Sequence, residues 1–230
     1  MSAELEDIHE ECGIFGVWGH PDASRLTYFG LHALQNRGQA VAGIVSNDHV
    51  RLHGHRGLGL LTQVFSDESE IARLKGDRAI GHVRYATSGS SSVDNIQPFL
   101  FRFHDGDVAL SHNGNLTNCV SLREKLEDEG AIFHSNSDTE VLMHLIRRST
   151  KSTFMDRLKE ALNIVHGGFA YLLMTSTEMI GALDPNGFRP LSLGRMRNGS
   201  YVLSSETCAL DIVGARLVRD IRPGEIVVVD

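Results

Sequence analysis

Residues 7–20 read DIHEECGIFGVWGH, and the fold turns on how this stretch is parsed. The eleven residues from Met1 to Glu11 carry Glu4, Glu6, Asp7, Glu10 and Glu11 and neither lysine nor arginine. At Cys12 the character changes, and Gly13–Trp18 has the apolar pattern of a β-strand. A secretory signal needs a basic start and a longer apolar stretch, and the leader has neither. Two readings stand. Either a solvated tail precedes a buried structural cysteine, the commonest setting for a lone thiol. Or the leader is cut off, and Cys12 becomes the first residue with its α-amino group beside its thiol.

The 230 residues are 41% hydrophobic and 22% charged, the composition of a soluble globular domain. No apolar run approaches the ~20 residues that span a bilayer. A net charge of −7 with no basic stripe argues against a nucleic-acid surface. The cysteines are Cys12, Cys119 and Cys208, odd in number, far apart and without a C-x-x-C pattern. That argues against a disulfide framework or a self-contained zinc site and fits a reducing compartment, the cytoplasm. His53 and His55 read as a strand or loop pair rather than a metal site.

No internal repeat or linker divides the chain. Strand-like runs fall at Gly13–Trp18, Val41–Ser46, Arg78–Ala86, Asp107–His112, Phe169–Thr175, Met179–Leu183, Tyr201–Ser205 and Glu225–Val229. Helical periodicity marks Asp22–Gln35, Asn118–Glu129 with Gly130 as C-cap, and Thr153–His166. Ser137–Glu140, "SDTE", reads as a capping box that opens a further helix. The glycine-rich "HRGLGLL" at His55–Leu61 lacks a phosphate-loop context and reads as a structural loop. Strands outnumber helices and do not alternate with them regularly. The expected class is α+β, largely antiparallel sheets with helices packed outside.

Several polar residues in this frame could do chemistry. In "GHVRYATSG", alternation puts His82 and Arg84 on one strand face. Arg84 offers a planar fork for a small carboxylate; the alternative is a solvated arginine on an edge strand. In "HNGN", Asn113 and Gly114 form either a hairpin turn or two converging donors of an oxyanion hole. Asp138, in the first turn of its helix, is either a surface acid favoured by the helix dipole or the partner of a ligand ammonium group. Arg84 and Asp138 together would grip the amino-acid end of a substrate whose far amide reaches Cys12.

These residues stand within "ECGIFG", "LQNRGQAVAGI", "GHVRYATSGSSSVDNIQPF", "HNGNLTN", "SDTE", "DPNGFRPLSLG" and "SSETCALD". In this order the strings resemble the glutaminase domain of glutamine phosphoribosylpyrophosphate amidotransferases, a class II, N-terminal-nucleophile family. The resemblance covers the chain from Cys12 onward. It implies an N-terminal-nucleophile hydrolase fold, a four-layer αββα sandwich with two mainly antiparallel sheets. It also implies a propeptide at 1–11, a glutaminase domain at 12–230, and a phosphoribosyltransferase domain absent from this chain. The reaction implied is hydrolysis of the glutamine amide, with Cys12 as nucleophile and its freed amine as proton carrier. Asn113 and Gly114 match the oxyanion-hole pair, and Arg84 and Asp138 the residues that hold glutamine. Arg37, Gly38, His82, Thr87 and Ser88 match the surrounding pocket.

The same resemblance implies no cofactor in this chain. Relatives carry a [4Fe–4S] cluster and use magnesium with phosphoribosylpyrophosphate in the missing domain. Cys208 matches one cluster ligand and is expected to be an orphan, since such a cluster normally needs four cysteines. The implied partners are glutamine and the phosphoribosyltransferase domain, with a homo-oligomer in the full-length form and neither nucleic acid nor membrane. One departure is Asn36, where the family usually has histidine. The nearest rivals are the glutaminase domain of a glucosamine-6-phosphate synthase and an unprocessed, catalytically silent module.

Overall fold

The computed structural model describes residues 12–84 and 93–230. The leader Met1–Glu11 and the pocket candidates Thr87 and Ser88 lie outside the described residues. In chain order the elements begin with β1 (Cys12–Trp18), α1 (Ala23–Ala33), a 3-10 turn (Gln35–Arg37), β2 (Val41–Asn47) and β3 (Leu52–Leu58). The short helices α2 (Leu61–Val64) and α3 (Glu68–Ala72) lead to β4 (Arg78–Arg84). From residue 93 come a second 3-10 turn (Val93–Asn95), β5 (Phe99–Phe103), β6 (Gly106–Leu116), and helices α4 (Cys119–Asp128), α5 (Asp138–Arg148) and α6 (Phe154–Ile164). Then follow β7 (Gly167–Met174), β8 (Met179–Leu183), β9 (Ser192–Arg195), β10 (Tyr201–Ser204), α7 (Thr207–Ile212), β11 (Arg216–Asp220) and β12 (Ile226–Val229).

The strands make a seven-stranded sheet, β11-β9-β10-β1-β4-β2-β3, and a five-stranded sheet, β12-β8-β7-β6-β5. Every pairing among the described residues is antiparallel. The strand period of two explains how they stack. In β1, Phe15 and Val17 pack with Leu31 of α1 and Leu210 of α7. Ile14 and Trp18, on the other face, pack with Ala170 and Leu172 of the second sheet. The outer face of that sheet, through Leu110, Phe169 and Tyr171, meets Leu142 of α5 and Leu158 of α6. The result is four layers, helix–sheet–sheet–helix. Both faces of β1 are covered, so all seven of its residues are buried. Fully burying each large apolar side chain contributes ~1.5–3 kcal/mol, which holds this strand firmly.

Two expectations change and one open alternative is settled. "HRGLGLL" is not a loop: residues up to Leu58 belong to β3, the outer strand of its sheet, and Leu61 opens α2. Its glycines and exposed polar residues hide a strand whose outer face meets solvent. "SDTE" caps α5 without forming a box. The Ser137 hydroxyl accepts from Thr139 N at 3.3 Å, but the Glu140 carboxylate turns away to His134 N (3.0 Å) and Ser135 N (2.8 Å). Asn113-Gly114 is not a turn, because both residues lie inside β6. Gly130 does cap α4, in a Schellman arrangement with Ala131 N to Leu126 O at 2.8 Å and Gly130 N to Glu127 O at 2.8 Å. No described helix is long and apolar enough to cross a membrane.

Candidate active site

Cys12 opens β1 and stands directly opposite Arg84, the last residue of β4. Opposed residues of an antiparallel pair share a face. Both side chains therefore emerge on the face of Ile14, toward the second sheet. β4 lies between β1 and β2, which rules out a solvated edge arginine. The head of β1 is pinned from three directions. Ile14 N donates to Ser205 Oγ at 3.0 Å, and Ser205 N donates to Ile14 O at 3.0 Å. Arg37 Nη1 donates to the Cys12 carbonyl at 3.2 Å, while its Nε pairs with the Glu206 carboxylate. Burial opposes the charge on Glu206, but the Arg37 hydrogen bond and charge hold that carboxyl below its usual range. Gly38 lets this turn approach β4: a β-carbon there would sit 2.4 Å from Arg84 N. The structure thus places Arg37 beneath the backbone of Cys12, and Gly38 against that of Arg84.

Asn113 and Gly114 come from β6 on the facing sheet. Asn113 shares the parity of Ala109, whose side chain packs between the sheets. The Asn113 amide nitrogen is buried and has no hydrogen-bond partner among the described residues. Leaving such a donor unsatisfied costs ~1–3 kcal/mol, so the amide is open to an acceptor from outside the described residues. Gly114 has φ +146°, and a β-carbon there would lie 2.1 Å from Gly168 O, so no other residue fits. His82, opposite Ile14 on β4, is fully buried, and neither ring nitrogen has a partner among the described residues. Burial first, then the charges of Arg84 and His112, pull it down to about 3, so it stays neutral.

Asp138 is the first residue of α5. Its Oδ2 accepts from Leu116 N at 2.9 Å, and its Oδ1 lies 3.4 Å from His112 Nδ1. With a side chain 18% exposed, it is a half-enclosed carboxylate rather than a solvated surface acid. Burial works against its charge. The His112 ring, the Leu116 N–H and the Arg84 guanidinium outweigh burial and hold the carboxyl below its usual range. The Arg84 charge thus reaches the Asp138 carboxylate.

Cys208 lies elsewhere, exposed in the first turn of α7 with Sγ 3.4 Å from Glu206 Oε2. Burial, followed by the Glu206 carboxylate, pushes its thiol up. Cys119 opens α4, where burial and then the Asp138 charge raise its thiol. The described residues contain no group of three or more His, Cys, Asp or Glu side chains that could hold a metal. The donor set does not fit a four-cysteine cluster. Four residues escaped the sequence reading: Glu206, His112, Gln97 and Thr139. Only His112 left a signal, since its place beside Asn113 in a strand puts it on the opposite face.

A profile of the glutamine amidotransferase domain matches residues 82–211. An amidophosphoribosyltransferase of Staphylococcus aureus is 57% identical over 224 residues, which is 97% of this chain and 45% of the relative. A solved structure described as the allosteric regulatory enzyme of purine biosynthesis superposes with a TM-score of 0.92 at 53% identity, over 94% of this chain and 46% of the other. Glutamine phosphoribosylpyrophosphate amidotransferase from Bacillus subtilis, solved with ADP and GMP, gives 0.90 at 52% identity, over 94% and 47%. The chain spans about half the length of the curated relatives it matches. The four layers are those of the N-terminal-nucleophile glutamine amidotransferases in these structures. With the profile spanning more than half of its residues and the fold agreeing along nearly its whole length, the chain belongs to the glutamine amidotransferase domain family.

Proposed function

We propose that this domain hydrolyses the side-chain amide of glutamine to glutamate and ammonia through a thioester on Cys12. It would do so as the ammonia-supplying half of an amidophosphoribosyltransferase in purine synthesis. The observation that carries the reading is the placement of Cys12 at the head of a central strand, opposite Arg84, with the Asn113 amide nitrogen on the facing sheet and unpartnered among the described residues. Residues 1–11 act as a propeptide, residues 12–230 as the glutaminase, and a phosphoribosyltransferase domain uses the ammonia. The similarity to relatives about twice as long supports that last element.

While Glu11 is attached, the nitrogen of Cys12 is an amide and cannot act as a base. Once freed it is an α-amine of pKa ~7.7–8.0, suited to proton transfer near neutral pH. The thiol proton passes to this amine, and the sulfur attacks the amide carbon of glutamine. Asn113 Nδ2 and the Gly114 backbone stabilise the tetrahedral oxyanion. The ammonium form of the amine returns the proton to the departing nitrogen as the C–N bond breaks. Water then adds to the thioester, and the S–C bond breaks to release glutamate. Arg84 holds the substrate carboxylate and Asp138 its ammonium group, with Arg37, Gly38 and His82 around them; Thr87 and Ser88, assigned to the same pocket, lie outside the described residues.

The test couples sequencing with assay. Purified protein that releases glutamate from glutamine should read Cys-Gly-Ile-Phe at its N-terminus. Full activity in protein that begins at Met1 or Ser2 would overturn the reading. For substrate grip, Arg84→Lys and Asp138→Asn should each raise the KM for glutamine roughly 10–100-fold, because a hydrogen bond to a charged group is worth about 1.5–3 kcal/mol. An unchanged KM in both variants would remove these residues from the site.

A further inference from the structure

Gln97, His112 and Thr139 come from the segment before β5, from β6 and from α5, and they meet behind Asp138. All three are buried, at 4%, 2% and 0% exposure. The hydrogen bonds among them leave little freedom in where the protons lie. The backbone N–H of His112 donates to Gln97 Oε1 at 2.6 Å, which fixes the orientation of that amide. Gln97 Nε2 must then donate to Thr139 Oγ1, at 3.1 Å. Thr139 Oγ1 also lies 3.1 Å from His112 Nδ1 and 3.4 Å from Asp138 Oδ1. A bare Nδ1 lone pair would face the carboxylate oxygen 3.4 Å away, so Nδ1 carries a proton. The hydroxyl therefore accepts from both Gln97 and His112, and its own proton is left for Asp138 Oδ1. Tyr171 stacks on the His112 ring at 4.4 Å and 22°, which fixes the ring plane.

We propose that His112, locked by Gln97, Thr139 and Tyr171, is a positioning residue that aims the Asp138 carboxylate at the α-ammonium group of the substrate. Oδ2 is tied to the Leu116 N–H, and the His112–Thr139 pair fixes Oδ1, so the carboxylate has one rotational setting. Carboxylates that must meet a ligand within a few tenths of an ångström need such support, because a small misplacement is costly in binding. His112 itself faces the helix layer, with Tyr171 and Phe169, and does not point at Cys12. Its side chain meets the carboxylate of Asp138 instead. Its positioning role rests on the reading of Asp138 as the ammonium partner.

The test compares glutamine with glutaramate, which keeps the carboxylate and the amide but lacks the α-ammonium group. In the active protein, His112→Phe keeps the stacking on Tyr171 and loses the donor. It should lower kcat/KM for glutamine about tenfold or more, mostly through KM, because the Thr139 hydroxyl loses the donor that turns its own proton toward the charged Asp138 carboxylate. Hydrolysis of glutaramate should stay near the wild-type rate. His112→Asn, whose amide nitrogen can reach the place of Nδ1, should restore most of the preference for glutamine. Equal losses on both substrates would make the ring a merely structural support and overturn the proposal. Should His112→Phe fail to fold, Thr139→Val removes only the hydroxyl and carries the same comparison. Asp138→Asn separates the two layers of argument. If that variant still prefers glutamine to glutaramate, the reading of Asp138 fails. If it loses the preference while His112→Phe keeps it, only the role of His112 fails.

Discussion

Replacing Cys12 with serine, in protein whose chain begins at that residue, is expected to abolish glutamate release while leaving glutamine binding in place. The serine keeps the α-amine and nearly the same volume at a buried position. What changes is the nucleophile: an alcohol is far less ionised near neutral pH than a thiol of pKa ~8.5. Removal of a covalent nucleophile should lower kcat by roughly 10³-fold or more. Arg84 and Asp138 are untouched, so calorimetry should give a dissociation constant within a few fold of the wild type. Wild-type glutamate release from Cys12→Ser would return Cys12 to the role of a buried structural thiol behind a solvated tail.

The second large effect concerns Asn113, where activity and stability should part company. Removing one oxyanion donor lowers kcat by roughly 10²–10³, so Asn113→Ala should turn over glutamine that much more slowly with a smaller change in KM. A buried polar side chain is normally expensive to remove because its partner is orphaned. Here the amide nitrogen has no partner among the described residues. Deleting it removes an unsatisfied donor, a gain of ~1–3 kcal/mol that offsets the small cavity left behind. The thermal midpoint should therefore stay close to that of the wild type. A steep drop in melting temperature alongside the lost activity would show that the amide supports the fold instead of the reaction.

The sequence disclosed the doubly buried strands and hid several of the short or exposed ones, for a physical reason. β1, β2, β7 and β8 are buried on both faces and spell near-continuous apolar runs. β3, β9 and β11 are short or exposed, rich in glycine, histidine or arginine, and become strands only because a neighbour offers its hydrogen bonds. For the site, the period of two was enough to put His82 and Arg84 on one face, and the register confirms that they share it with Cys12 and Ile14. The support behind Asp138 was not legible. Gln97, His112 and Thr139 lie in three separate segments, and nothing in their local spacing says that their side chains meet. Glu206 was equally silent, since its partner Arg37 is 169 residues away.

The strand that carries Cys12 has β4, Arg78–Arg84, on one side and β10, Tyr201–Ser204, on the other. The bonds between Ile14 and Ser205 join residues 191 positions apart. Contacts so distant in sequence form late, because the loop must be closed before they reward it. On the ribosome the delay is set by elongation: at ~5–20 residues per second, Ser205 is made roughly 10–40 s after Ile14. Until β10 emerges, a nascent chain thus holds its cysteine without one of the two strands that flank it. Synthesis of β10 and Ser205, rather than of Cys12 itself, becomes the event that lets the cysteine's strand close on both sides, and a product that stops short of residue 201 lacks that flank.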